Sequence, residues 1–72
     1  MAENFTEEEK HVLGIMGVKG FYKPGSFTIR LVDTIFHADV MNSAKLRQVF
    51  PGYVDAVKAW QYGDLAQRAG VD

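Results

Sequence analysis

Two histidines and nine carboxylates are the side chains in this sequence suited to acid–base or metal chemistry. Asp33 and His37 stand four residues apart, with Asp39 two further on. On a helix, residues four apart share a face. A metal site needs a third and usually a fourth ligand, and His11 is distant in sequence. The spacing therefore predicts a surface Asp33–His37 contact, joined by Arg30 three residues before Asp33, and no metal centre. The chain has no cysteine, which removes thiolate nucleophiles, disulfides and cysteine-ligated zinc. It also has no nucleophile-elbow glycine pattern and no pair of carboxylates in an apolar setting. No catalytic residue is assigned, and no enzyme activity, cofactor or small-molecule substrate is expected.

Three short patterns touch on phosphate or nucleic-acid chemistry. Gly17-Val18-Lys19-Gly20 matches the Gly-x-x-Gly loop of KH domains, but that fold needs a sheet that this sequence does not offer. Lys23, Ser26 and the first amides of a following helix, at Phe27 and Thr28, have the makings of an anion site. They lack P-loop spacing, and a plain helix cap is the simpler reading. The third pattern is a helix ending near Ala38, a turn, and a helix beginning near Ser43, the outline of a helix-turn-helix. Ser43, Lys45, Arg47 and Gln48 would then face phosphates and base edges. The formal net charge of −1 argues against it, since bulk positive charge supplies most nucleic-acid affinity.

The elements that must carry these residues read as helices throughout. Thr6-x-x-Glu9 is a capping box, and Glu7, Glu8 and Glu9 suit the positive end of a helix dipole. A first helix is predicted over about Glu7 to Met16, with Gly14 weakening its end and Gly17 as its C-terminal glycine. Residues 17–25 hold three glycines and a proline, so they form a loop. Val18, Phe21 and Tyr22 are large for a loop and are expected to fold back as a lid. Ser26 caps a second helix, Phe27 to Ala38. Asp39 to Asn42 make a turn, and a third helix runs from Ser43 to Val49, capped by Asn42 or Ser43. Pro51 breaks the helix at Phe50 and opens a fourth, which runs to about Tyr62. Gly63 ends it, and Asp64 caps a last turn from Leu65 to Ala69. No alternating strand pattern, repeat or low-complexity tract occurs. The expected fold is all-α, a single small domain of four short helices plus a C-terminal turn, with frayed ends at 1–5 and 70–72.

On a helical wheel the apolar residues of the second helix span roughly 200°, where a surface helix needs a stripe of just over 100°. That helix is therefore expected at the centre, with Leu13, Leu31, Ile35, Leu46, Val57 and Trp60 mostly buried. Nine aromatic residues exceed what so small a core hides easily. Some of Phe21, Tyr22, Phe36, Tyr53, Trp60 and Tyr62 are expected part-exposed, as aromatics at protein contacts often are. The candidate interface is Phe21, Tyr22, Ile29, Val32 and Phe36, with a protein partner or a second copy as occupant. Self-association as a symmetric dimer is expected, with Phe36 or its neighbours at the seam.

At 72 residues, with 47% hydrophobic and 24% charged side chains, the composition is that of one globular domain. The acidic start has no apolar core segment, so no secretory signal is read. No apolar run approaches the ~20 residues of a membrane span. A cytoplasmic location with no membrane partner follows as the expectation. Charge is tilted, with residues 1–18 acidic, 19–47 basic and 48–72 nearly balanced.

The run Lys23-Pro24-Gly25-Ser26-Phe27, then Ala38-Asp39, Asn42, Lys45-Leu46, Phe50-Pro51 and Val54-x-Ala56-Val57, resembles small uncharacterised phage or prophage reading frames. The resemblance covers about residues 12–62. It implies a compact, helical, cytoplasmic accessory protein and carries no catalytic residue with it. The first functional reading is therefore a non-enzymatic interaction module, and the alternative is a helix-turn-helix DNA-binding protein with residues 43–50 as recognition helix.

Overall fold

A computed structural model of the chain describes residues 4–71. Among the described residues there are five helices and no strand: α1 (Glu7–Ile15), α2 (Ser26–His37), α3 (Val40–Val49), α4 (Pro51–Gln61) and α5 (Asp64–Arg68). The shortest dimension, 18 Å, admits two helix layers of about 10 Å each. Helix α4 is the hub, packing on α1, α2, α3 and α5. The expectation that α2 would be central gives way to this arrangement. A broad apolar arc shows how much of a helix wants cover, but not which helix provides it.

The ends of α1 form as the sequence predicts. Thr6 Oγ1 accepts from the Glu9 amide at 3.0 Å, and Glu9 Oε1 accepts from the Thr6 amide at 2.9 Å. At the other end Gly17 adopts φ +79°, and the Gly17 and Val18 amides donate to the Gly14 and Leu13 carbonyls. That is a Schellman closure, which favours glycine at the left-handed position. Gly14 has a different role. The backbone of the 17–25 loop crosses α1 there so closely that an added Cβ would overlap the Tyr22 carbonyl.

Three boundaries differ from the sequence reading. Helix α5 runs Asp64–Arg68, with Asp64 inside it and Gly63, not Asp64, at the cap position, without a side-chain capping bond. Helix α2 begins at Ser26 itself, with Gly25 in extended geometry as its cap and no side-chain capping bond. Helix α3 begins at Val40, three residues earlier than expected. Asp39 is its cap, with Oδ1 accepting from the Asn42 amide at 2.7 Å. Asn42 and Ser43 are inside the helix, and the turn shrinks to Ala38–Asp39. Phe50 then ends α3 and precedes α4 at φ −126°, ψ 60°, because Pro51 denies it helical geometry. The two helices therefore meet at a corner with no intervening loop.

The core is Phe5, Val12, Leu13, Leu31, Val32, Ile35, Val54, Ala56, Val57 and Leu65. Leu13, Leu31, Ile35 and Val57 are buried as expected, whereas Leu46 and Trp60 are only half-buried against the core. Phe5 is no frayed end. Its buried ring meets Phe21 edge-on at 5.6 Å, and the Arg68 guanidinium lies 5.4 Å from the ring centre. At the other end the Val71 amide donates to the Ala66 carbonyl at 2.9 Å. The remaining expected frayed residues, 1–3 and 72, lie outside the described ones. No helix among the described residues is long and apolar enough to cross a membrane.

Candidate functional site

The α2 surface proposed from sequence as an interface is largely closed. Val32 is fully buried, and Phe36 is half-buried against the core. Neither is available as a dimer seam, because α1 and α4 cover that side of α2 within the chain. Ile29 is half-buried. From the expected lid, Val18 and Phe21 do fold back onto the core. Tyr22 does not, and it stands 90% exposed. Its backbone, pressed against Gly14, anchors the loop while the ring projects outward.

The apolar surface left open lies on α3. Val40 is 86% exposed, Met41 71% and Val49 69%, and no residue of α3 is fully buried. Helix α3 meets the core through half-buried Leu46, with Phe50 at its end. The cause is visible in the spacing. With Val40 at zero, Met41 falls at about 100°, Val49 at about 180° and Leu46 at about 240° around the helix. With Leu46 pointing inward, Val40 and Met41 lie more than 100° around the helix from it and face away, while Val49, about 60° from Leu46, sits at the margin of the inward face and stays exposed at the end of the helix. Tyr62, 82% exposed, shares a shallow groove with Asp39, Val40, Ser43, Lys58 and Gln61. On the opposite flank Phe27, 69% exposed, approaches Phe50 with ring centres 6.5 Å apart.

This surface was only partly legible beforehand. Tyr62 stood among the aromatics expected at the surface. Val40 and Met41 were hidden by assigning them to a turn. The signal that finds them is Asp39, an N-cap residue type three positions before Asn42, which pulls Val40 and Met41 into the helix.

The candidate nucleic-acid residues sit on the same helix. Lys45 and Gln48 are exposed, and Ser43 is half-buried in the groove beside Tyr62. Arg47 is already engaged, with Nη2 3.1 Å from Asp55 Oδ1 on α4. The four side chains are therefore not one free polar face.

Other titratable groups serve the fold. His37 Nδ1 lies 2.8 Å from the Asp33 carbonyl oxygen and 3.5 Å from Asp33 Oδ1, in the open. Arg30 forms no ion pair with Asp33 among the described residues. No group of three potential metal-binding side chains comes together among the described residues. His11 Nδ1 and the Tyr53 hydroxyl are hydrogen-bonded at 2.6 Å with their rings stacked, joining α1 to α4. Arg68 Nη2 donates to Glu9 Oε2 at 2.6 Å, and its Nε donates to Asp64 Oδ2 at 3.1 Å. Partial burial works to raise the Glu9 pKa. The hydrogen bonds from Arg68 and Thr6 and the charge of Arg68 outweigh it, holding the carboxyl below its ordinary value.

Compared with known proteins, the chain matches no family model, no curated protein and no solved structure.

Proposed function

We propose that this protein is a non-enzymatic protein–protein interaction module whose contact surface is the outward face of α3, with Tyr62 beside it. The observation that carries the reading is the exposure of Val40, Met41 and Val49 on α3, a helix with no fully buried residue, and of Tyr62 beside it. Large exposed apolar patches on soluble domains mark contact sites, and Val40 and Tyr62 line one groove with Met41 next in sequence. An aromatic with a polar tip at the patch edge is typical of protein contacts. An accessory role, as the phage-like run of residues implies, suits a module of this kind.

Photo-crosslinking tests the reading. A photoreactive residue replacing Met41, in cells that naturally make the protein, should form polypeptide adducts, and the same residue replacing exposed Gln67 on α5 should form none. Absence of Met41 adducts would overturn the reading. The DNA-binding alternative uses the same helix and predicts a different result. A gel shift that weakens steeply with salt and is lost in Lys45→Ala would replace the interaction module with a helix-turn-helix. The Arg47–Asp55 pair weighs against that outcome, since it occupies one of the helix's two cations.

A further inference from the structure

We propose that the cleft between α1 and the 17–25 loop binds a small aromatic monocarboxylate. The cleft is separate from the α3 surface, and the proposal does not depend on the interaction reading.

The cleft has a volume of about 360 Å³, within the range of small-molecule sites. Helix α1 supplies one wall with Glu7, Lys10 and His11, and the loop supplies the other with Phe21, Tyr22, Lys23 and Pro24. Residues three and four apart share a helix face, so Gly14 stands one turn beyond Lys10 and His11. There the Tyr22 backbone closes against α1. Closed at that end, the cleft suits a single ring with its head group rather than a passing peptide.

Charge selects the class of ligand. Each wall brings one ammonium, Lys10 from the helix and Lys23 from the loop. Lys23 has no ion-pair partner among the described residues. Lys10 pairs with Glu7 at 3.3 Å, and the Glu7 side chain is 74% exposed. So well solvated a contact is worth little and does not hold the ammonium against a ligand. Two lysines against one glutamate leave a single positive charge for a ligand to match. The Tyr53 hydroxyl is hydrogen-bonded to His11 Nδ1, which fixes the ring and leaves Nε2 for the head group. Phe21, Tyr22 and Pro24 supply the apolar contact, and a bound ring gives the exposed Tyr22 ring a stacking partner. The sequence groups Lys23 with Ser26 as the makings of an anion site. The fold instead sets Ser26 in another groove, beside Arg30, and brings Lys23 to Lys10.

Two-dimensional amide NMR on the full chain, titrated with phenylacetate, tests the proposal. Phenylacetate has about ten heavy atoms, and at ordinary efficiency per atom it binds in the millimolar range. The expected result is saturable shifts centred on the residues of the two walls. Phenylacetamide, the same shape without the charge, should bind several-fold more weakly. Phenyl phosphate, whose second charge meets Glu7, should also bind more weakly. Lys23→Gln and Lys10→Gln should each reduce phenylacetate affinity several-fold. Lys23 is exposed, so circular dichroism of Lys23→Gln should match the wild type. Shifts that stay linear to the highest concentration, or spread evenly over the surface, would overturn the site. Equal binding of phenylacetamide, or indifference to Lys23→Gln, would overturn recognition by charge. Preference for phenyl phosphate would overturn the monocarboxylate.

Discussion

Three consecutive glutamates open α1, and each meets a different neighbour. Glu7 pairs with Lys10 in the open at 3.3 Å. Glu8 lies over the first turn of α4, close enough that a Cβ added at Gly52 would stand 2.7 Å from its carboxyl carbon. That places negative charge at a positive helix end. Glu9 closes the capping box and receives Arg68 from α5. Because Glu9 titrates lower folded than unfolded, its carboxylate contributes stability that is fully present above the ordinary glutamate value. That contribution is lost as pH falls through the folded value. It amounts to about 1 kcal/mol or less, since Arg68 is more than a third exposed. Thermal midpoints measured down the acid range should fall less steeply in Glu9→Gln than in the wild type, and equal slopes would assign the acid sensitivity to other groups. Gly14 gives a sharper residue-scale prediction. Alanine is the better helix former by up to about 1 kcal/mol, yet its Cβ would overlap the Tyr22 carbonyl. Gly14→Ala should therefore destabilise by about 1–3 kcal/mol, as overpacking does. Denaturant unfolding measures this, and a stabilised variant would show that the loop yields freely.

At the scale of elements, the capping residues and helix breakers were the most readable part of the sequence. Thr6, Glu9, Gly17, Pro51 and Gly63 mark the boundaries they were expected to mark, because caps and breakers act through the neighbouring few residues. The start of α3 was misread for a related reason. Asp39, Asn42 and Ser43 are all cap-forming types, and local preference does not choose among them. The choice fell to Asp39, which keeps Leu46 on the core side. The short α5 depends on tertiary contact more than any other helix, since five residues do not hold a helix alone. Its anchors are the fully buried Leu65 and the Arg68–Glu9 contact. Leu65→Ala should cost about 2–5 kcal/mol. Loss of only a few tenths in denaturant unfolding would mean that α5 is an appendage rather than part of the core.

For the whole molecule, the main consequence of the fold is the division of apolar surface between α2 and α3. Sequence periodicity placed the surplus on α2, but α4 and α1 cover its Leu31, Val32 and Ile35 while Phe27 stays exposed, and α3, packed on α4 through Leu46, keeps Val40, Met41 and Val49 in solvent. The charged residues of α3 carry little of the fold. Lys45→Ala should change stability by no more than about 0.5 kcal/mol. Arg47→Ala should cost at most about 1 kcal/mol through the exposed Asp55 pair. Unfolding of either variant in a thermal scan would place these charges in the structural framework instead.

By itself the sequence determined the all-α class, most helix ends and most of the buried set, because capping, breaking and amphipathic periodicity operate within a few residues of chain. It did not determine the hub or the open face. Which of several apolar helices becomes central depends on how the helices cross, and that follows from contacts between residues far apart in sequence. Gly14 against the Tyr22 backbone, Phe5 between Phe21 and Arg68, and His11 on Tyr53 are such contacts. They seat α1, the loop and α5 around α4, and α3 is left with only Leu46 and Phe50 turned to the core and its remaining apolar residues in solvent.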